Sequence, residues 1–205
     1  MTQLGPVTGE GGVEAISLLV SRVQPSARSV CFYRTVEQPR SYAMIETFVA
    51  PEQIPPSADI SLPDLDFRCE RHVCAEVADD AKTREPASIM MVVAFCVPEE
   101  RRREVDDWYE TEHAPLLLKA DGWLRARRYH GIASRGNAAW THIALHDLRN
   151  VAVLDSKERA VARSTPWRAR LCQESWFAKA GRWVYERVDV CYSPATTKSN
   201  RCQAE

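Results

Sequence analysis

The sequence predicts an α+β fold built on a ferredoxin-like unit, and three observations carry that prediction. The apolar run at 87–97, with Ile89, Met90, Met91, Val92, Val93 and Phe95, reads as a buried strand closed by Pro98. A charged run of good helix formers at 99–107 follows it and leads into a stretch dense in aromatic and imidazole groups, 108–118. Beyond it the strand and helix patterns alternate, so that 86–192 reads β-α-β-β-α-β.

From the N-terminus, residues 1–12 are rich in Gly and Thr and read as loose. Residues 13–23 set Val13, Ile16, Leu19, Val20 and Val23 at helical spacing, ended by Pro25 and Ser26. Residues 29–36 and 41–49 read as strands, with Glu37-Gln38-Pro39-Arg40 as the hairpin turn between them. Pro51, Pro55, Pro56 and Pro63 make 50–66 a loop, 67–77 is a third strand, and 78–86 is a polar linker. In the second half, the helix after 87–97 is interrupted or bent at Pro115. Residues 123–132 form a strand with a turn at 133–137, and 138–148 the next strand. Residues 151–163 are a helix, and Ser164-Thr165-Pro166-Trp167 starts another with proline in its first turn. The last strand is 183–192, and 193–205 is a polar, disordered tail.

Setting Leu18-Leu19-Val20 against Leu116-Leu117-Leu118 aligns strand 29–36 with 125–133 and 41–49 with 139–147. This spacing predicts an internal duplication. The first half, 1–85, is degenerate and lacks its first strand and second helix; the second, 86–192, is complete. His113 falls on Ala15 and Tyr109 on Gly11 in that alignment, so any site is expected in the second half only.

The chain has 205 residues, 45% apolar and 27% charged, which is ordinary for a globular protein. A net charge of −1 gives no field for nucleic acid or an anionic membrane. The charge is uneven: 1–85 has 8 Lys/Arg against 13 Asp/Glu, and 86–205 has 19 against 15. Seven cysteines show no CxxC or Cys/His metal spacing, and Cys31 and Cys96 read as buried structural thiols. No segment has signal-peptide architecture or the run of about 18 apolar residues a membrane span needs, so a cytoplasmic setting is expected.

Tyr109 and His113, four apart, share one helix face a turn apart, and Trp108 and Glu112 form the neighbouring pair. An imidazole there can serve as acid or base; the plainer use is a helix-end histidine capping carbonyls or pairing with Glu112. Tyr109 can donate to a ligand carbonyl or enolate, or simply fill the core. The run 99–107 reads as a solvated helix face. On 123–130, Trp123, Arg125, Arg127 and Tyr129 oppose Leu124, Ala126, Arg128 and His130; on 140–147, Trp140, His142, Ala144 and His146 oppose Thr141, Ile143 and Leu145. On 183–188, Trp183, Tyr185 and Arg187 oppose Val184, Glu186 and Val188. The first set of each is expected on the face that the helices leave open. That mixture is too polar for a plain sandwich core and suits a polar inter-sheet network or a pocket for an aromatic, oxygen-bearing ligand. Arg127 either holds a carboxylate or phenolate or forms an inter-sheet ion pair. His142 and His146 stand roughly 13 Å apart along a strand, too far to chelate one ion, so no metal is expected.

The segments Trp108-Tyr109…His113-x-Pro115, Gly122-Trp123-Leu124-x-x-Arg127-Arg128-Tyr129 and Ser164-x-Pro166-Trp167 give residues 88–190 a further reading. This region resembles the dimeric α+β barrel superfamily, in particular its EthD-like branch. The resemblance implies two ferredoxin-like units packed sheet to sheet, with a small-molecule pocket between each sheet and its helices or loops. It implies a homodimer or, with a degenerate first half, an internal pseudo-dimer. Superfamily members include cofactor-free monooxygenases, isomerases, polyketide cyclases and dehydratases, and haem-degrading enzymes. The leading expectation is cofactor-independent proton transfer (dehydration, cyclisation or isomerisation) on a phenolic or polyketide-like substrate. His113 would be the acid/base, with Tyr109 and Arg127 stabilising the oxyanion. Trp108, Tyr129, Trp140, His142 and Tyr185 would line the substrate site. A non-catalytic ligand-binding or structural protein is the alternative, and a cofactor-free monooxygenase or haem-binding member a weaker third. No cofactor, metal, nucleic acid or membrane partner is expected.

Overall fold

The computed structural model describes residues 2–4, 29–37, 42–47, 69–135 and 140–188. Its strands are β1 (Thr2–Leu4), β2 (Ser29–Thr35), β3 (Tyr42–Thr47), β4 (Cys69–Ala81), β5 (Ile89–Phe95), β6 (Trp123–Arg135), β7 (His142–Leu148) and β8 (Gly181–Val188). They pair antiparallel and close into a barrel in the order β1-β3-β2-β8-β5-β7-β6-β4. Within the ring the first four strands lie as β4-β1-β3-β2 and the last four as β8-β5-β7-β6, the same order position for position. The two sets meet at β2–β8, where Arg34 pairs with Glu186, and at β4–β6, where Arg125 Nε reaches Asp79 Oδ1 at 2.5 Å. This is the expected α+β, ferredoxin-like class.

The strand β5 is apolar throughout because both its faces are covered, and each of its residues is buried. Ile89, Met91, Val93 and Phe95 pack under the helices with Trp108, Trp123, Leu117 and Phe177. Met90, Val92 and Ala94 point into the barrel, against Tyr33, Ile143, Leu145 and Tyr185. One sheet therefore separates two cores.

The helical layer opens with a 3₁₀ turn (Glu99–Arg101) and α1 (Arg102–Trp108), passes through a π turn (Tyr109–His113) and continues as α2 (Ala114–Leu117). Pro115 has no N–H to offer the carbonyl four residues back. The ladder widens by one residue just before it, with the Ala114 N–H donating to the Tyr109 carbonyl, and the helix resumes. Gly122 then turns the chain into β6 at φ +88°, where a Cβ would stand 2.7 Å from Val153 Cγ2. The segment expected as one helix at 151–163 is split: Val151–Asp155 is 3₁₀, and Ser156 restarts it by accepting from the Arg159 N–H to open α3 (Lys157–Arg163). Thr165 caps α4 (Pro166–Leu171) in the same way, with Pro166 in its first turn, and α5 (Ser175–Ala178) follows.

Several expectations are corrected. Residues 2–4 are not loose: β1 pairs with both β3 and β4, so the first half does have a first strand. β4 runs on to Ala81 through register shifts, taking up residues expected in a linker, and β6 extends to Arg135. Cys96 is exposed, just beyond the end of β5. The face assignment of β7 reverses. His142, Ala144 and His146 pair with Phe95, Val93 and Met91, which lie under the helices, while Ile143 and Leu145 face the barrel. A bulge between Trp123 and Arg125 likewise puts Trp123 on the helix side. The expected helix at 13–23, loop at 50–66 and tail at 193–205 lie outside the described residues; of the turn expected at 133–137, residues 133–135 belong to β6 and 136–137 lie outside.

Candidate functional site

Four elements of the second half (the helix of α1 and the π turn, β5, β6 and β7) converge on a small cleft, together with Val77 of β4 in the first half. Asp106 and Tyr109 come from α1 and the π turn, Arg128 and His130 from β6, and His142 and Ala144 from β7, with Phe95 of β5 as the floor. Val77, Tyr129 and Ile143 complete the lining. Its volume is about 10 Å³, room for a single water molecule.

The polar groups there are held by one another. Arg128, whose side chain is 7% exposed, lies 3.2 Å from the Asp106 carbonyl and 3.3 Å from its carboxylate through Nη1, and 3.5 Å from Glu110 through Nη2. Its Cζ sits 6.0 Å from the centre of the Tyr109 ring. His130 Nε2 is 3.0 Å from Asp106 Oδ1. His142, buried, contacts Thr141 Oγ1 through Nδ1 at 3.0 Å, and its Nε2 has no hydrogen-bond partner. Burial pushes His142 down to about 4, against the pull of Asp106 in the opposite direction.

Behind the cleft lies an aromatic layer. Tyr109 is 4% exposed and meets the His113 ring edge-on, 5.2 Å between centres. His113 stacks on Trp108 at 4.3 Å, and Trp108 Nε1 donates to Glu112 Oε1 at 3.2 Å. Burial holds His113 down at about 3; a hydrogen bond with the Ala162 backbone opposes this, and the guanidinium of Arg168 adds to it. His146, deeper still, accepts from Trp123 Nε1 at 3.3 Å and is pushed to about 3 by burial and by His113. Burial raises the Tyr109 phenol well above its ordinary value, although Arg182 and Arg128 pull it down, so it keeps its proton.

The structure thus divides the residues singled out in the sequence. Tyr109, Tyr129 and His142 line the cleft, and Trp108 and His113 stand behind it. Arg127, Trp140 and Tyr185 belong to the barrel interior instead. There Arg127 Nη2 holds both oxygens of Asp147 at 2.8 and 3.0 Å, and Trp140 packs edge-on against Trp183 at 5.9 Å. Burial disfavours the Arg127 charge, but Asp147, Tyr129 and Tyr33 together outweigh that, so its pKa rises. Tyr129 donates to Glu76 Oε2 at 3.1 Å and is raised to about 12 by burial, with Arg127 opposing. The sequence gives no site role to Phe95, Asp106, Arg128 or His130. Arg128 and His130 stand on alternate positions of one strand face, a readable signal, but alternation alone gives that face to packing under the helices.

Among the described residues no helix is long and apolar enough to cross a membrane. No family model matches the chain, and no curated protein matches it. Solved structures do match its fold. An anthrone oxidase-like protein aligns with a TM-score of 0.58 at 13% identity, over 91% of this chain and 90% of that one. A ferredoxin fold protein related to antibiotic biosynthesis monooxygenases, from Listeria monocytogenes, aligns at 0.50 and 9% identity, over 93% and 96%. A haem-degrading enzyme, also from Listeria monocytogenes, aligns at 0.50 and 5% identity, over 91% and 99%. At these identities the likeness establishes the ferredoxin-like α+β barrel fold.

Proposed function

We propose that this chain is an enzyme that moves a proton on an oxygen-bearing aromatic small molecule held in the cleft of Tyr109, Arg128 and His142. The supporting observation is the convergence of three complementary groups on one space. The phenol of Tyr109 and the guanidinium of Arg128 are donors for an oxygen that gains negative charge, the arrangement that stabilises an enolate or phenolate. The Nε2 of His142, without a hydrogen-bond partner, is the proton acceptor. In this reading His113 is a positioning group: it packs edge-on behind Tyr109 and fixes the phenol, and the proton passes elsewhere. The substrate class is phenolic or polyketide-like, and the outcome dehydration, cyclisation or isomerisation, in keeping with the EthD-like pattern of the Tyr109–His113 helix. An anthrone, the molecule in one structural neighbour's name, is an aromatic ketone of that chemistry. A space for one water has to widen for such a ligand to bind.

We also read the chain as an internal pseudo-dimer of two ferredoxin-like halves, 1–85 and 86–192, working in the cytoplasm. The repeated strand order supports the duplication. Sedimentation equilibrium is expected to give the mass of one chain, and a mass of two chains would contradict it.

Proton exchange from solvent into a panel of phenolic and polyketide-like ketones tests the catalytic reading. Tyr109→Phe and Arg128→Lys are expected to lower kcat by about 10²–10³ while ligand still binds. If the wild-type protein exchanges no proton into any ketone that binds, the cleft is a binding site without chemistry.

A further inference from the structure

We propose that Asp106, His130 and His142 form a binding site for one divalent first-row transition-metal ion. One donor atom from each lies within 4.8 Å of the others, the set of this kind found among the described residues. The three come from three different elements, and the strand register brings the imidazoles together. His130 and His142 are direct cross-strand partners in β6 and β7, with ring centres 4.6 Å apart. Ligands at about 2.0–2.2 Å from a common ion stand roughly 3–4 Å from one another. His130 Nε2 at 3.0 Å and His142 Nε2 at 3.8 Å from Asp106 Oδ1 are already at that spacing.

A second observation points to a missing ligand. The side chain of His142 is more than nine-tenths buried, and its Nε2 is without a hydrogen-bond partner. A buried nitrogen left so is costly unless something else fills its lone pair. The other ring nitrogen is braced: Nδ1 meets Thr141 Oγ1, which itself receives the Val97 N–H at 2.8 Å. With the proton on Nδ1, the lone pair on Nε2 points into the cluster, which is the outer support that metal-ligating histidines carry. Two imidazoles and one carboxylate suit zinc, iron(II), cobalt(II) or nickel, whereas calcium and magnesium need more oxygen. Three protein ligands leave a coordination position free in a cleft that Tyr109 and Phe95 also line. Arg128, at 3.3 Å from Asp106, shares that carboxylate and opposes a cation, so affinity is moderate. The sequence does not offer this set, because linear spacing sets His142 against His146 along its own strand and not against its neighbour across the hairpin.

The inference rests on the same cleft as the proposed function, and the two uses exclude each other at any one moment, because ion and substrate proton compete for one lone pair. The test uses cobalt(II) on the full, tag-free chain. Expected is one cobalt per chain with the visible absorption of nitrogen and oxygen coordination, displaced by zinc. His130→Gln and Asp106→Asn should each weaken binding at least tenfold, and His113→Gln, outside the cluster, should leave it unchanged. His130→Gln is the decisive variant, because its ring is 39% exposed and the fold does not lean on it, whereas Asp106→Asn also unpairs Arg128. Absence of saturable binding, sulfur-to-cobalt charge transfer, or affinity indifferent to His130→Gln would overturn the inference. Chelator-treated protein separates the two proposals. Proton exchange by a protein that binds no ion removes the metal site alone, and a protein that binds the ion yet exchanges no proton when ion-free removes the catalytic reading alone.

Discussion

At the residue scale two imidazoles held in the neutral form, one half-buried and one buried, set how the protein responds to acid. His113 and His146 are held at about 3 in the folded chain, against about 6.5 when unfolded. Between those values the unfolded state binds more protons, so stability is full above about 6.5 and falls as pH drops towards about 3. Urea midpoints measured down that range should decline, and His146→Leu should flatten the decline; an unchanged slope would place the acid sensitivity elsewhere. Gly122 is the other sharply defined residue. Gly122→Ala adds a Cβ at positive φ, 2.7 Å from Val153, and is expected to cost about 1–3 kcal/mol in thermal unfolding.

At the element scale, what can be read from the sequence depends on whether one pattern has one cause. β5 and the helix after it are legible because an unbroken apolar run reads as a doubly covered strand and a charged run of helix formers reads as a helix. β1 is not, since three residues carry no periodicity and their pairing with β3 and β4 is a long-range event. The faces of β7 are hidden for a different reason. Both sides of that strand are buried, so alternation alone does not tell helix side from barrel side. A similar ambiguity of faces hides Arg128 and His130 on β6, and Asp106 is lost in a charged run that reads as a solvated helix face, whereas Tyr109 is visible because an aromatic and an imidazole four apart on a helix stand out. Trp108, 1% exposed beneath the π turn, ties that helix to the sheet. Trp108→Ala is expected to destabilise by about 3–5 kcal/mol, read as a lower denaturation midpoint.

At the scale of the whole molecule, a single chain closes a ring that leaves none of the described strands with a free edge. The price of closure is an interior with charge in it. The side chains of Arg127 and Asp147 are 13% and 12% exposed and are held to each other across β6 and β7. Asp147→Ala leaves the guanidinium buried without its partner and should cost about 3–5 kcal/mol; replacing both residues by apolar ones should recover much of it. A double-mutant cycle by denaturant unfolding reads both outcomes.

The most direct measurement is a mapping of amide and imidazole NMR shifts as phenolic and polyketide-like ligands are added. Binding in the proposed cleft should move the signals of Asp106, Tyr109, Arg128, His130 and His142 together, and Tyr109→Phe should weaken the effect. Shifts confined to Tyr33, Arg127 and Tyr185 would instead put the ligand inside the barrel and contradict the assignment of the cleft as the working site.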